Sequence, residues 1–332
     1  MPDPAVSVAI PVRDGGELLA GVLNALSRQT VAHELVVCDS GSRDGSVELA
    51  HEHGARVIEI APHEFGHGRT RNLLMRATHG AHVAFLSQDA EPCDQRWLER
   101  LLGAFTAAND VGVAFGPYTA RPDAELPLRV EQERWFASLS PEPVRADDQE
   151  RCAPASYWMG ARGFLTDANA CLARAAWQRV PYRDVSMAED RVLAIELLRA
   201  GYAKAYVPEA AVLHSHRYGS LQRLRRDFDE WRALREVYGW REPLAPRHLV
   251  GQVRGALGET VRALDAAEAS RSERRRALAA AVRLRSLRLA GAILGSRADL
   301  LPPPVRRTLS LERRASFTPL ELDAPSDPPR PS

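Results

Sequence analysis

The apolar run Val83-Ala84-Phe85-Leu86 stops abruptly at Ser87-Gln88-Asp89. A short β-prone run ended by polar residues reads as a buried parallel strand. In open α/β sheets ligands bind beyond the carboxyl ends of such strands. Asp89 therefore stands where a carboxylate can hold a metal or a substrate; the plainer alternative is that Ser87 and Asp89 cap a helix beginning near Gln95. Three further places carry groups of similar potential. Asp39-Ser40-Gly41 follows Glu34-Leu35-Val36-Val37-Cys38, and an Asx turn is its simplest reading. Glu189-Asp190 opens an apolar-striped segment, where paired acids are favoured by the helix dipole even without chemistry. His214 and His216 end another apolar run. Strand alternation puts both on one side, but an HxH alone does not specify a zinc site.

The surrounding pattern says what positions these groups. Strands are expected at 6–10, 34–38, 57–60, 83–86 and 111–115. Helices are expected at 17–27, after Gly45, at 68–77 and at 97–105. This alternation predicts a doubly wound α/β sheet. Right-handed crossovers bring four tips to the carboxyl edge: Arg13-Asp14, Asp39-Ser40-Gly41, the loop at 65–68 and Ser87-Gln88-Asp89. Past Gly116 the pattern changes. A turn-rich stretch at 118–127 leads to a helix at 129–139 and a polar loop at 141–154. A strand at 163–169 followed by a helix at 170–177 is expected next. A helix at 187–200 is closed by Gly201, and a strand at 205–212 precedes a long helix at 221–238. The Ala- and Arg-rich stretch 245–295 reads as two or three helices. Residues 302–332 hold eight prolines and read as a disordered tail.

The totals exclude several classes. The 332 residues are 45% hydrophobic and 26% charged, with net charge +1, which suits a globular protein and gives no global signal for nucleic acid. The four cysteines form neither a CxxC pair nor a disulfide framework, which suits a reducing compartment. No apolar stretch approaches the roughly 20 residues of a membrane span, and the first residues lack the pattern of a signal peptide. The GxGxxG of a dinucleotide fold does not follow the first strand, and no GxxxxGK[ST] loop is present.

Five segments in order, PVRDGG, CDSGSRDGS, GHGRTRN, FLSQDAEP and MAEDRVLAIELLRAGY, resemble an inverting glycosyltransferase of family 2 with the GT-A fold. The FLSQDAEP form is similar to rhamnosyltransferase-like members. The resemblance spans about 6–231 and implies a GT-A nucleotide-diphospho-sugar transferase fold: a mostly parallel central sheet flanked by helices, with a C-terminal helical extension. It implies a donor half at 1–120, an acceptor and base half at 121–240, an extension at 241–301 and the tail at 302–332.

The resemblance also implies roles. Asp190 is the expected general base, with Glu189 orienting it or binding acceptor hydroxyls. An inverting displacement needs one base and no covalent intermediate. Asp39 is expected at the nucleobase, Pro11 in the wall of the base pocket, and Arg13 and Asp14 near the ribose. Gly68 and Arg71 lie in a segment beside base and ribose, where Gly68 allows close backbone approach and Arg71 reaches base or phosphate oxygens. Asn72 closes a loop. Asp89 is the expected ligand of Mg²⁺ or Mn²⁺, joined by His214. The family's first carboxylate of an Asp–any–Asp pair is replaced by Ser87; Ser87 or Gln88 is expected at ribose or a metal-bound water. Trp158 and His216 are placed on the acceptor side.

The implied reaction moves a hexose, with L-rhamnose as the subfamily's sugar, from a nucleoside-diphosphate sugar to a hydroxyl of a glycan or glycolipid. Polysaccharide synthesis for the cell envelope is the implied setting. A small-metabolite acceptor and an inactive nucleotide- or glycan-binding scaffold are the alternatives. The partners implied are the donor and the acceptor, with no nucleic acid. A cytoplasmic location is expected, with peripheral contact at the inner membrane face through the Arg-rich helices.

Overall fold

The structure of the protein, a computed structural model, describes residues 5–322. Two compact units are formed. The first contains all ten strands. Its elements run β1 (Val6–Val12), α1 (Gly16–Leu26), β2 (Glu34–Asp39), α2 (Ser46–Glu52), β3 (Arg56–Glu59), α3 (His67–Ala77), β4 (His82–Leu86), β5 (Glu91–Pro92), α4 (Trp97–Ala107), β6 (Val111–Phe115) and β7 (Tyr118–Thr119). After α5 (Leu126–Ala137), which belongs to the second unit, the first resumes with α6 (Asp148–Arg151), β8 (Asn169–Ala173), α7 (Arg174–Arg179), α8 (Glu189–Arg199), β9 (Ala203–Tyr206) and β10 (Val212–Leu213).

The seven-stranded sheet has the order β3-β2-β1-β4-β8-β6-β9. β3, β2, β1 and β4 are parallel neighbours, while β8 runs antiparallel to both β4 and β6. Its strands are near-continuous apolar runs because both faces are covered: Val8, Ile10, Val36, Val37, Val83, Ala84, Phe85 and Leu86 are fully buried. The carboxyl ends of β1, β2 and β4 therefore share one edge, as the alternation predicts. β5, β10 and β7 form a small second sheet.

Two expectations are corrected. The segment expected as a strand at 163–169 is mostly loop, and the strand is β8, one segment later. The alanines of Ala170-Cys171-Leu172-Ala173 favour helix locally, but the run fills the gap between β4 and β6, where burial on both faces outweighs propensity. The strand expected at 205–212 is divided into β9 and β10, which lie in different sheets.

The second unit packs α5 with α9 (Ser220–Tyr238), α10 (Pro246–Ala266), α11 (Arg271–Gly295) and α12 (Pro303–Leu309). α11 lies close on α9: a Cβ at Gly295 would stand 2.3 Å from the Phe228 carbonyl oxygen. Several of the α11 arginines pair within this unit, Arg274 with Asp265, Arg283 with Glu125, and Arg285 and Arg288 with Glu131. Of the tail expected from 302, α12 is helical and the Leu320 N–H donates to the Glu236 carbonyl oxygen; residues 323–332 lie outside the described residues. The chain's grouping thus differs from the 120/121 and 240/241 boundaries, because α5 joins the C-terminal helices. Among the described residues no helix is long and apolar enough to cross a membrane.

Candidate active site

At the carboxyl edge of the sheet the tips of β1, β2 and β4 are tied to one another through side chains. Gln88 clamps the end of β1: its Oε1 accepts the Arg13 N–H at 2.7 Å and its Nε2 donates to the Arg13 carbonyl at 3.0 Å. Asp14, in the left-handed region at φ 48°, accepts the Arg43 N–H at 2.8 Å. Its own N–H donates to the Ser42 hydroxyl. Asp39 is buried, and its Oδ1 accepts the Gly41 and Ser42 N–H groups at 2.8 and 2.9 Å. The Ser42 hydroxyl donates to its other oxygen. This is the Asx-type turn that the sequence offers as the simple reading, and it shapes the tip that the family resemblance assigns to the base. Pro11 lies in β1, paired with Cys38. Gln88 spends both ends of its amide on backbone, so its place is in holding the edge together rather than reaching outward.

Asp89 follows Ser87 at the end of β4 and is buried. His214, just past β10, brings Nδ1 to 3.2 Å from Asp89 Oδ1. The Tyr118 ring meets the His214 ring edge-on, with centroids 5.5 Å apart, which fixes the imidazole. Asp89 and His214 thus each offer one ligand atom at the same point. One carboxylate and one imidazole nitrogen form a donor pair that fits a divalent cation completed by phosphate and water oxygens. The nitrogen suits Mn²⁺ better than Mg²⁺, which takes oxygen ligands. Ser87 donates its N–H to the Ala168 carbonyl oxygen at 3.4 Å.

A second cluster centres on Arg71 of α3. Its Nε lies 3.1 Å from Asp167 Oδ2, and its Nη1 donates to Glu189 Oε1 in a short hydrogen bond. The guanidinium also lies 6.0 Å from the ring centroids of Phe85 and Tyr182. Arg71, Asp167 and Glu189 are all buried. Burial works against the Arg71 charge, but Asp167 and Glu189 hold it protonated. The Tyr182 hydroxyl donates to Asp167 Oδ1 at 3.0 Å. Asp190 follows Glu189 in the first turn of α8, and its Oδ1 accepts the Arg191 N–H at 2.8 Å. Burial, reinforced by the charge of Glu189, pushes the Asp190 carboxyl above the usual carboxylate range, with Arg191 and Arg71 acting against the rise. Burial does the same to Asp167, opposed by Arg71. A carboxyl so raised is a better proton acceptor near neutral pH.

The loop before α8 is held from α3. A Cβ at Gly68 would stand 2.0 Å from the Arg183 carbonyl oxygen, so only glycine lets the chain pass. Asn72 closes this loop as expected: Nδ2 donates to the Tyr182 carbonyl at 2.7 Å, while Oδ1 accepts from Tyr182 N–H and Trp177 Nε1.

Three sequence assignments change here. Arg71, expected to reach base or phosphate oxygens, has its guanidinium engaged by two buried carboxylates. Glu189, expected to orient Asp190 directly or to bind acceptor hydroxyls, turns its carboxylate to Arg71. Trp158 is fully buried, so its ring offers no face to a sugar; it packs edge-on with Tyr157, under Arg162. Asp167 is the residue that sequence reasoning missed. Its signal is a lone acid in the otherwise apolar GFLTDANACL, but its partner Arg71 is remote in sequence.

The comparisons with known proteins bear on the family and the fold. The chain matches the family described as Glycosyl transferase family 2 over residues 7–166. It is 32% identical over 232 residues to the O-antigen chain rhamnosyltransferase RfbN of Salmonella typhimurium, covering 68% of this chain and 70% of that protein. With the O-antigen chain rhamnosyltransferase WbaN of Salmonella anatum it shares 28% identity, covering 68% and 71%. The fold is shared with the mannosyltransferase PcManGT from Pyrobaculum calidifontis, solved in complex with GDP-Man and Mn²⁺: the TM-score is 0.57 at 16% identity, covering 88% of this chain and 87% of that one.

Proposed function

This chain belongs to glycosyl transferase family 2 and is a GT-A glycosyltransferase that uses a nucleotide-sugar donor; we propose that it transfers L-rhamnose, with inversion, from dTDP-L-rhamnose to a hydroxyl of a glycan or glycolipid. The sugar is carried by the relatives, both rhamnosyltransferases of O-antigen chains. The single observation that carries the chemistry is the pairing of two differently built carboxylate sites in one unit. One is Asp89 beside His214 at the end of β4. The other is Asp190 at the start of α8, beside the buried Arg71–Glu189 pair.

On this reading the tips of β1, β2 and β4 carry the donor, and the start of α8 carries the base. The β1 and β2 tips, with Pro11, Arg13, Asp14 and Asp39, form the cradle for base and ribose. Asp89 and His214 would hold the divalent cation. That cation, when bound, neutralises the charge that develops on the departing diphosphate. Asp190 accepts the proton of the attacking hydroxyl. Its proton affinity, raised by burial and by Glu189, lets it take that proton in the transition state rather than merely attract it. The sugar changes configuration because the hydroxyl enters on the face opposite the leaving diphosphate. The enzyme works in the cytoplasm, at an anionic membrane surface that the exposed arginines of the C-terminal helices contact.

The test is a panel of dTDP-, UDP- and GDP-sugars, with Mn²⁺ or Mg²⁺, assayed for nucleoside diphosphate release and transfer. The expected result is release from dTDP-L-rhamnose above the others, greatest with Mn²⁺. Release from UDP- or GDP-sugars alone would reassign the donor, and binding without turnover of any donor would return the scaffold reading.

A further inference from the structure

The loop and helix start that carry Asp190 are built against ordinary preferences. Ala188, immediately before Glu189, sits in the left-handed region at φ 64° and ψ 28°. A non-glycine residue persists there only when its surroundings over-determine it. No side chain caps the N-terminus of α8. Three carboxylates, Asp167, Glu189 and Asp190, act on one another electrostatically. Two of them are buried against the guanidinium of Arg71. A buried acid left without its partner costs far more than an exposed one, so this set depends on Arg71.

Resting on the reading of Asp190 as the base, we propose that Arg71 is a positioning residue for the transfer reaction. It bridges Asp167, at the entry to β8, and Glu189, in the first turn of α8, and so fixes the direction and the proton affinity of Asp190. The Arg71 guanidinium is flanked by Phe85 and Tyr182 and engaged edgewise by the two acids, which leaves it the role of an internal brace. The charged and titratable groups that set the field at Asp190 are Glu189 and Arg191 on its own helix, Arg71 from α3, and Asp167 with the Tyr182 hydroxyl bound to it. Arg71 and Arg191 favour the carboxylate; Glu189 and Asp167 favour the protonated acid. Removing Arg71 therefore raises the titration midpoint of Asp190, and removing the charge of Glu189 lowers it.

The experiment follows the Asp190 carboxyl by carbon NMR across pH in the full chain, with the signal assigned from its loss in Asp190→Asn. In Arg71→Gln the midpoint is expected to rise, by less than it falls in Glu189→Gln, because Glu189 acts on Asp190 more strongly than Arg71 does. In Arg71→Lys it is expected to move by less than half as much. In Glu189→Gln, which keeps Arg71 in place should Arg71→Gln fail to fold, it is expected to fall by about one unit. Calorimetric binding of dTDP with Mn²⁺ is expected to match the wild type in Arg71→Lys. An unmoved midpoint in folded Arg71→Gln or Glu189→Gln overturns the proposal, as does a loss of dTDP affinity in Arg71→Lys with an unmoved midpoint. The base assignment fails separately: dTDP-L-rhamnose turnover that survives in Asp190→Asn would remove it while leaving the titration result intact.

Discussion

Asp44 and Asp190 are both aspartates at the start of a helix in the same unit, and their surroundings give them opposite acid strength. Asp44 precedes α2 on the exposed edge of the sheet. The Ser46 hydroxyl donates to it at 2.6 Å, with the Ser46 and Gly16 N–H groups adding to the shell. Those donors, the Ser46 hydroxyl first, hold its carboxyl below the ordinary range. Asp190 has a single backbone donor and lies beside Glu189, and burial pushes it the other way. The same side chain is thus a fixed tie at one helix start and, in the proposed reading, the proton acceptor at the other. What differs is whether hydrogen bonds or desolvation dominate. The donor-side tips, with Asp14, Asp39 and Gln88 hydrogen-bonded to backbone, are built for shape. In the α8 cluster burial, not hydrogen bonding, sets the acid strength of Asp190.

This contrast can be broken by substitution. The largest effect is expected at Asp190: Asp190→Asn should lower turnover of dTDP-L-rhamnose by about 10³-fold, within the range for a general base, as measured by steady-state dTDP release. At Asp89 the loss should appear in binding. Asp89→Asn should weaken Mn²⁺-dependent dTDP affinity by about 100-fold, in line with losing a group that shapes a metal site, as read by calorimetry. A smaller effect, on stability, is expected of Gly68→Ala. Its new methyl meets the Arg183 carbonyl and should cost about 1–3 kcal/mol, seen as a lowered denaturation midpoint.

The smallest effect concerns Glu34, at the start of β2, the opposite end of the strand from Asp39. Burial acts to raise its pKa, but the Ser7 hydroxyl, the His79 N–H and Arg56 outweigh it and bring the carboxyl down to about 2. A folded value below the unfolded one contributes stability above the unfolded value, and that stability is lost as pH falls through the folded one. Glu34→Gln should therefore flatten the decline of the melting temperature between about pH 4.5 and 2. An unchanged decline would assign it to other acids.

Much of the donor half was legible because its signals are local. Apolar runs ending in Asp39 and Asp89 mark strand tips, and Gly68 marks a close backbone approach by being the only residue without a side chain to clash. The α8 cluster was half legible. Glu189-Asp190 is visible as a pair at a helix start, but Asp167 is not, because its meaning comes from Arg71, remote in sequence and adjacent only after β4 and β8 pair. Trp158 shows the same limit from the other side: an aromatic in a polar loop reads as a sugar platform, and only the packed structure shows both its faces covered. β8 was misplaced because alanine-rich runs favour helix until two strands close around them. The companion of α5 was not readable either, since helical periodicity shows that a face is buried but not against which partner.

The central claim is that binding and proton transfer reside in separately built carboxylate sites. Its most direct test is calorimetric titration of dTDP, with Mn²⁺, into the Asp190→Asn chain. The account predicts wild-type affinity in a protein that has lost turnover. Loss of dTDP binding together with turnover would contradict it, placing Asp190 in the donor site rather than at the attacking hydroxyl.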